Sequence, residues 1–599
     1  MGLYPRATIV APLPIKLTVE PPSVAEALES FPLPIIPIRE LGSDGVQTDQ
    51  DPYGAPIKSF SMAVNARFED KQISRGPIAL TVGTLATATG PQFALAYQQL
   101  SGSFKFHICN ANGKIYDWQN SGPPTWGSTE TDISIPAYTP NSYTGVAWTS
   151  AVINDVVYVN RPDRPPWFKT KSDTNFTDLS TTSVGGAGWD SSWRCASIRE
   201  VAGVLVAIGM TESGIQYPAK IRTSDYMTFD NAAITWAPNT TNSATFNTLP
   251  DLSEPLVDGV NLGQNLVLYS NHETWLMQPT YNQSMFSYSR LFKNWGVINQ
   301  NCVAEVNNVH YVFGATDIWK HDGYNQSSIA WGRVRDFVYN NLVIAQIWQF
   351  FTYYNPRLNE IMFCYVSKDS ACGFPVGGNI GYPGCNRAVV WNLRANTWYF
   401  YDLPYVTAIT SSIVASSYAY TSFGSETYHD LGGSTYNSYA NPAILTALTV
   451  APSVSGQFYG VAGSQTLACA VRTFDRYGSP AAAGLEDTVA NAPVYITKSS
   501  LDLDDLNENL RQYKVVKSMY PEGRLAVNAS PIYFSWGTAD YPSSPPPVLG
   551  TSQSFDGSTN YKLDFNIAGR YLDIVITYND TKDFALTGFD FDFQNTGSR

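Results

Sequence analysis

The feature that most constrains this chain is a short unit that recurs along it. An apolar strand runs into a polar turn, and a second strand returns carrying a tryptophan. Leu266–Tyr269 leads through Ser270, Asn271, His272 and Glu273 to a return strand holding Trp275. His310–Phe313 leads through Gly314, Ala315, Thr316 and Asp317 to Ile318 and Trp319. Phe104–Trp118, Val152–Trp167 and Val389–Trp398 share the shape. β-branched and aromatic runs on both sides of a polar turn are hairpin signals. Hairpins that recur every few tens of residues indicate propeller blades. The spacing predicts about six irregular blades within residues 56–442.

The flanks read differently. Prolines at 5, 12, 14, 21, 22, 32, 34 and 37 forbid helix and central strand alike. Residues 1–55 therefore read as an extended proline-rich arm, with one short helical turn at Ser23–Ser30. The apolar residues between the prolines, Ile9, Val10, Leu13, Ile15, Leu17, Ile35 and Ile36, favour an arm packed on the C-terminal platform domain or on a neighbouring subunit. Residues 416–442, rich in Ser, Tyr and Gly, read as a long loop. From 443 the strand signals continue at a new spacing, and 443–599 reads as a β-sandwich. Leu503–Tyr513 is a candidate short helix, and Pro545–Pro547 sits in a connection. The fold class expected is all-β: a propeller, a sandwich and an arm.

Composition narrows the function classes. Charged residues make up 15% of the chain, against roughly 25% in ordinary globular proteins. Thirty-seven Tyr and fifteen Trp suit β-structure and extensive interfaces. The net charge is −13, and Lys and Arg are scattered without a basic run. A protein that grips nucleic acid concentrates positive charge to neutralise phosphates. An acidic chain would let DNA pass, although ordinary acidic proteins look the same. The seven cysteines (109, 195, 302, 364, 372, 385, 469) form no CxxC pair, so neither a disulfide framework nor a zinc site is expected. Cys372 and Cys385 bracket a glycine-rich loop, and whether they pair stays open. No signal-peptide run opens the chain, and no window reaches the ~18 apolar residues of a membrane span. Synthesis in a reducing compartment is the expectation.

No motif carries a known chemistry. The five histidines (107, 272, 310, 321, 429) show no ligand spacing, and His310 and His321 read as structural. Asp502, Asp504 and Asp505 lack the glycine and closing glutamate of a calcium loop. Acidic residues that a propeller could gather are Glu200, Asp225, Asp258, Glu273, Glu305, Asp317, Asp322 and Asp336. Such carboxylates serve glycosidases in pairs, and the sequence does not say which ones meet. The tryptophans that end the hairpins read as blade packing rather than a sugar platform. Arg194, Arg222, Arg333, Arg335 and Arg387 are candidates for interface ion pairs or plain surface residues. No catalytic, metal-binding or cofactor-binding residue is therefore expected, and the chain is not expected to be an enzyme.

Three stretches carry a family likeness. They are LGSDGVQTDQDPYGAPIKSFSMAVNARFEDKQISRGP (41–77), the run from YSNHETWLMQP through GVINQNCVAEVNNVHYVFGATDIWKHDG to SIAWGRVRDFVY (269–339), and GRYLDIVITYNDTKDFALTGFDFDFQNTGSR (569–599). Together they resemble the tail nozzle proteins of short-tailed bacteriophages, the tail tubular protein B and packaged-DNA-stabilisation group. The resemblance implies a structural virion protein in the phage tail, assembled in the host cytoplasm. It implies a homohexameric tube that retains and conducts the genome, with the sandwich as the docking platform. Its implied partners are further copies of itself, the tail adaptor beneath the portal, tail fibres or tailspikes, and DNA held without sequence specificity. Stable membrane insertion is not implied. In WGRVRDF (331–337) the resemblance implies packing, not catalysis. The rival reading is a carbohydrate-active or host-glycan-binding propeller, which would gather carboxylates on the propeller axis. A receptor-binding propeller would instead expose an aromatic patch.

Overall fold

Tight turns decide where this chain folds back on itself. Asp70–Lys71, Asn154–Asp155, Ala202–Gly203, Ser213–Gly214 and Asn307–Asn308 each place two successive residues at positive φ. That is the two-residue hairpin turn whose twist matches the flanking strands. The computed structural model describes residues 35–595, except 86–89, 121–127, 137, 142–144, 146, 182–187, 227–234, 281–284, 369–383, 415–443, 452–453, 457–464, 468, 477–492, 503–512 and 543–548. The described chain is nearly all β, with 56% in strands and 4% in helix.

Four-stranded antiparallel sheets follow one another as propeller blades. Blades one to six occupy residues 91–132, 149–178, 194–248, 256–293, 303–328 and 351–406. A seventh sheet completes the ring. It joins Ala408–Val414, Ile444–Ala451 and Ala470–Arg476 to Ile78–Thr84, which is its outermost strand. Its first strand packs against the first strands of blades six and one. The circle is thus closed by pairing an early strand with late ones, and the blades number seven, one above the sequence expectation. Closure also moves a boundary. The strands at 444–451 and 465–474, read as sandwich, lie at or beside blade seven rather than in a separate unit. An alternating apolar strand looks the same in either setting; only its partner, some 390 residues away, distinguishes them.

The sandwich in turn recruits early strands. One sheet combines Ile35–Arg39, Ala66–Glu69 and Gln72–Arg75 with Lys514–Leu525, Leu563–Gly569 and Phe584–Asn595. The other runs through Met62–Val64, Val494–Leu501, Tyr571–Tyr578, Ile532–Ala539 and Gln553–Phe555. Phe534 meets Phe589 edge-on, and Trp536 meets Phe591, so aromatic rings fill the space between the sheets. The second sheet does not stop there. Val64 pairs with Phe400 of blade six, which makes one nine-stranded sheet spanning propeller and sandwich. Backbone hydrogen bonds, not a linker, join the two units.

Buried charge reinforces that seam. Glu360 of blade six is fully buried and accepts hydrogen bonds from Arg67 Nε (2.5 Å), Tyr399 (2.8 Å) and Tyr401 (3.1 Å). Burial pushes its carboxyl upward, and Arg67 opposes that shift. The three stretches that carry the family likeness also converge here. The Asp49 carboxylate accepts from the backbone N–H groups of Asp336 and Phe337 at 2.9 and 3.0 Å, capping the helix Arg335–Asn341. Ile73 and Ser74 pair with Leu586 and Ala585. Stretch 41–77 therefore touches both of the others.

Residues 1–34, with the Ser23–Ser30 turn, lie outside the described residues, as do the whole of the 416–442 loop, the 503–512 segment and Pro545–Pro547. The end of the expected arm is described: Ile35–Arg39 pairs with Asp592–Gly588, and Arg39 binds Asp590 and Glu522.

Candidate functional site: the propeller axis

The first strand of every blade lines one cavity on the axis, of about 480 Å³. Its apolar walls include Phe93, Val152, Val260, Val303, Phe351 and Ile409. This volume falls in the range of small-ligand pockets, roughly 300–1,000 Å³. It is far too small for a nucleic-acid duplex.

Asn301 spans the axis. Its Nδ2 donates to the carbonyl of Trp148, the residue before blade two, at 2.8 Å, although Asn301 itself leads into blade five. In a ring of seven those blades lie on opposite sides. The Asn301 backbone N–H donates to Asp258 of blade four at 2.9 Å, and its carbonyl accepts from Thr352 of blade six at 2.8 Å. A left-handed φ of 59° aims these groups, a conformation asparagine tolerates better than most residues. Arg199 completes the hub. Its Nε and Nη2 pair with the buried Asp258 at 2.8 and 2.7 Å, Nη2 also donates to Asn301 Oδ1 at 2.9 Å, and Nη1 donates to the Ser150 carbonyl at 3.2 Å. All three guanidinium nitrogens are engaged, and the charge is neutralised.

Two further carboxylates line the same cavity. Glu200 accepts from Asn261 Nδ2 at 3.5 Å, and burial raises its pKa. Glu305 is exposed and accepts the Asn308 N–H at 2.7 Å. Of the eight acidic candidates, the axis gathers Glu200, Glu305 and the already neutralised Asp258. The others serve locally. Asp225 and Asp322 accept backbone N–H groups in loops. Glu273 holds Trp275 Nε1 and Ser253, and Asp336 pairs with Arg335. Asp317 is partly buried in blade five, with its carboxyl raised by desolvation.

The arginine candidates also find partners within the chain. Arg387 is buried against Asp402 at 3.0 Å. Arg222 binds Glu212 and stacks over Trp193. Arg194 donates to the carbonyls of Asp163, Ser191 and Trp193, Arg333 to that of Asn396, and Arg335 to that of Thr316. Trp118, Trp167, Trp275, Trp319 and Trp398 are all buried as blade packing.

The histidines resolve into structural chains. Gly323 N–H donates to His321 Nδ1 at 3.1 Å, so the His321 proton sits on Nε2 and is donated to Tyr269 Oη at 2.7 Å. Tyr269 then donates to His310 Nδ1 at 2.6 Å, and His310 Nε2 donates to the Asn261 carbonyl at 2.7 Å. Both rings are neutral in this arrangement. Desolvation lowers His310 to about 4 and His321 to about 3. His107 is buried between Tyr97 and Asp117, and its pKa is likewise lowered by burial. His272 meets Glu254 at the surface. His429, Asp504 and Asp505 lie outside the described residues, as does Cys372. Cys385 is buried, and its thiol donates to the Gln349 carbonyl at 3.3 Å. Among the described residues no group of three or more His, Cys, Asp or Glu is placed to hold a metal ion.

Arg199, Asn261 and Asn301 were not singled out from the sequence. They carry no motif, and the axis that unites them exists only when seven first strands meet.

No protein-family model matches the chain, and no curated protein matches it. Among solved structures, a chain described as YCF48 bound to D1 peptide is similar over 55% of this chain and 89% of its own length, with 10% identity and a TM-score of 0.31. A likeness at that level carries no functional argument. The propeller assignment rests on the sheets themselves.

Proposed function

We propose that this chain is a structural, non-catalytic component of a short-tailed phage tail, the nozzle subunit. In this reading copies of it form a ring, a homohexamer by the family resemblance, below the tail adaptor. The genome is retained and released through the lumen between subunits. The observation that carries the reading is the convergence of the three resembling stretches at the seam between propeller and sandwich. That seam combines a continuous nine-stranded sheet with the buried Arg67–Glu360 pair. It makes a stiff body suited to a tube wall.

The axial cavity restricts where DNA runs. A ligand-sized space crossed by Asn301 cannot conduct a duplex, so the conduit belongs to the assembly and not to the propeller bore. An acidic, sparsely charged wall offers few phosphate contacts and little drag. Ring closure requires two different faces of each subunit to meet. The segment 1–34 is our candidate for a clasp between neighbours.

The test is the mass and shape of the purified chain, alone and with adaptor–portal complex, by light scattering and negative-stain microscopy. Six-fold rings are expected. A strict monomer that ignores the complex would overturn the reading. Deleting 1–34, which spares the Ile35–Arg39 strand, should leave a folded subunit with impaired rings. Intact rings without it would sink the clasp.

A further inference from the structure

The axial cavity has a chemical preference of its own. Its one guanidinium, on Arg199, is saturated by Asp258, Asn301 and the Ser150 carbonyl. Its two remaining charged groups, Glu200 and Glu305, are carboxylates and therefore acceptors. Two buried side-chain oxygens on the same lining, Asn261 Oδ1 and Thr352 Oγ1, have no hydrogen-bond partner among the described residues. A buried polar atom without a partner is unfavourable, and a ligand that supplies the missing donor relieves it. Beside these groups the lining carries apolar and aromatic side chains, Phe93, Trp148, Val260, Val303 and Phe351, interspersed with the neutral polar Gln92, Gln349 and Thr407. Unused acceptors, surplus negative charge and adjoining apolar side chains together describe one kind of guest.

We propose that the axial cavity binds a primary ammonium group carried on an apolar stem. The ammonium donates to the Glu200 carboxylate and Asn261 Oδ1, with Glu305 adding negative charge, while the stem packs on the apolar wall. An ammonium has three donors and no acceptor, which complements this set. A neutral polyol brings acceptors of its own and no charge. Such a group could belong to a free amine or to a lysine side chain of another protein. The cavity lies within one subunit, so the inference stands apart from ring assembly, and either can fail alone.

The experiment is calorimetric titration of the full chain at neutral pH with four probes. They are benzylamine, its neutral counterpart benzyl alcohol, Nα-acetyl-lysine methylamide, and methyl galactoside. Benzylamine or the lysine derivative should bind at least about tenfold more tightly than benzyl alcohol. Glu200→Gln should weaken that binding by about tenfold, the cost of one charge-assisted hydrogen bond. Glu305→Gln, at an exposed position, supplies a second variant whose fold is not at risk, and it should weaken binding by a smaller factor. The stronger of the two ammonium probes identifies the source, free amine or lysine side chain. Equal binding of benzyl alcohol, unchanged affinity in both variants, no ammonium binding up to about 10 mM, or preferential binding of methyl galactoside would each overturn the proposal. The last outcome would instead favour the glycan-binding reading.

Discussion

Tyr269→Phe deletes one oxygen, the centre of the chain that links His321 to His310. Both rings then lose a partner at once: His310 Nδ1 an O–H donor, His321 Nε2–H an acceptor. A buried polar group left unpaired costs about 1–3 kcal/mol. The two imidazoles stand 5.0 Å apart, centroid to centroid, and can recover part of the loss by approaching one another. The expected loss of stability is therefore about 2–4 kcal/mol. The aromatic ring of residue 269 stays in place, so packing contributes little. The assay is chemical denaturation followed by tryptophan fluorescence, run across pH. The direction of the pH effect follows from the depressed histidines. Native His310 and His321 titrate near 4 and 3, whereas unfolded histidine titrates near 6.5. Below about pH 6.5 the unfolded chain binds more protons than the native one, so stability falls as pH drops from there toward 4. At roughly 1.4 kcal/mol per pKa unit the two rings together supply several kcal/mol of this loss. The slope comes from burial and not from the hydroxyl, so Tyr269→Phe should lie parallel to and below the parent. His321→Gln should flatten the slope. A loss under about 1 kcal/mol in Tyr269→Phe, or an undiminished slope in His321→Gln, would refute the assignment of two neutral rings joined through tyrosine.

Three other perturbations test the frame. Glu360→Ala takes the buried acceptor from Tyr399 and Tyr401 and one of two carboxylates from Arg67, which keeps Glu69 at 2.6 Å, and should cost about 1–3 kcal/mol, read by denaturant midpoint. Gly296→Ala would place a Cβ 2.4 Å from the Ser270 and Asn271 carbonyl oxygens, and should destabilise by about 1–3 kcal/mol or prevent folding, read by soluble yield and melting temperature. Asp49→Ala removes the cap on the 335–341 helix and should cost about 1 kcal/mol. Faster hydrogen exchange at the Asp336 and Phe337 amides would register that loss.

Much of the fold was legible because it is local. The return-strand tryptophans, the Asn-Asp and Asn-Asn turns and the period-two strands each depend on a few neighbouring residues. They identify hairpins, and hairpins in series identify a propeller. The structural reading of His310 followed from its alternation along a strand, and that of His321 from the turn KHDG, although His321 in fact ends the strand Ile318–His321. What the chain order concealed was which strands share a sheet. Ile78–Thr84 closes blade seven with strands that follow it by hundreds of residues, and Met62–Val64 welds blade six to the sandwich. Both pairings are made by backbone groups, and backbone groups are the same in every residue but proline, so composition does not record them. The axial site has a similar origin. Arg199, Asp258 and Asn261 are ordinary polar residues within first strands, Asn301 leads into another, and they meet only after the ring has closed. Local residue patterns specify the kind of blade; the number of blades, the rigid seam and the chemistry of the axis arise on closure of the ring, because each is set by contacts between residues far apart in the chain.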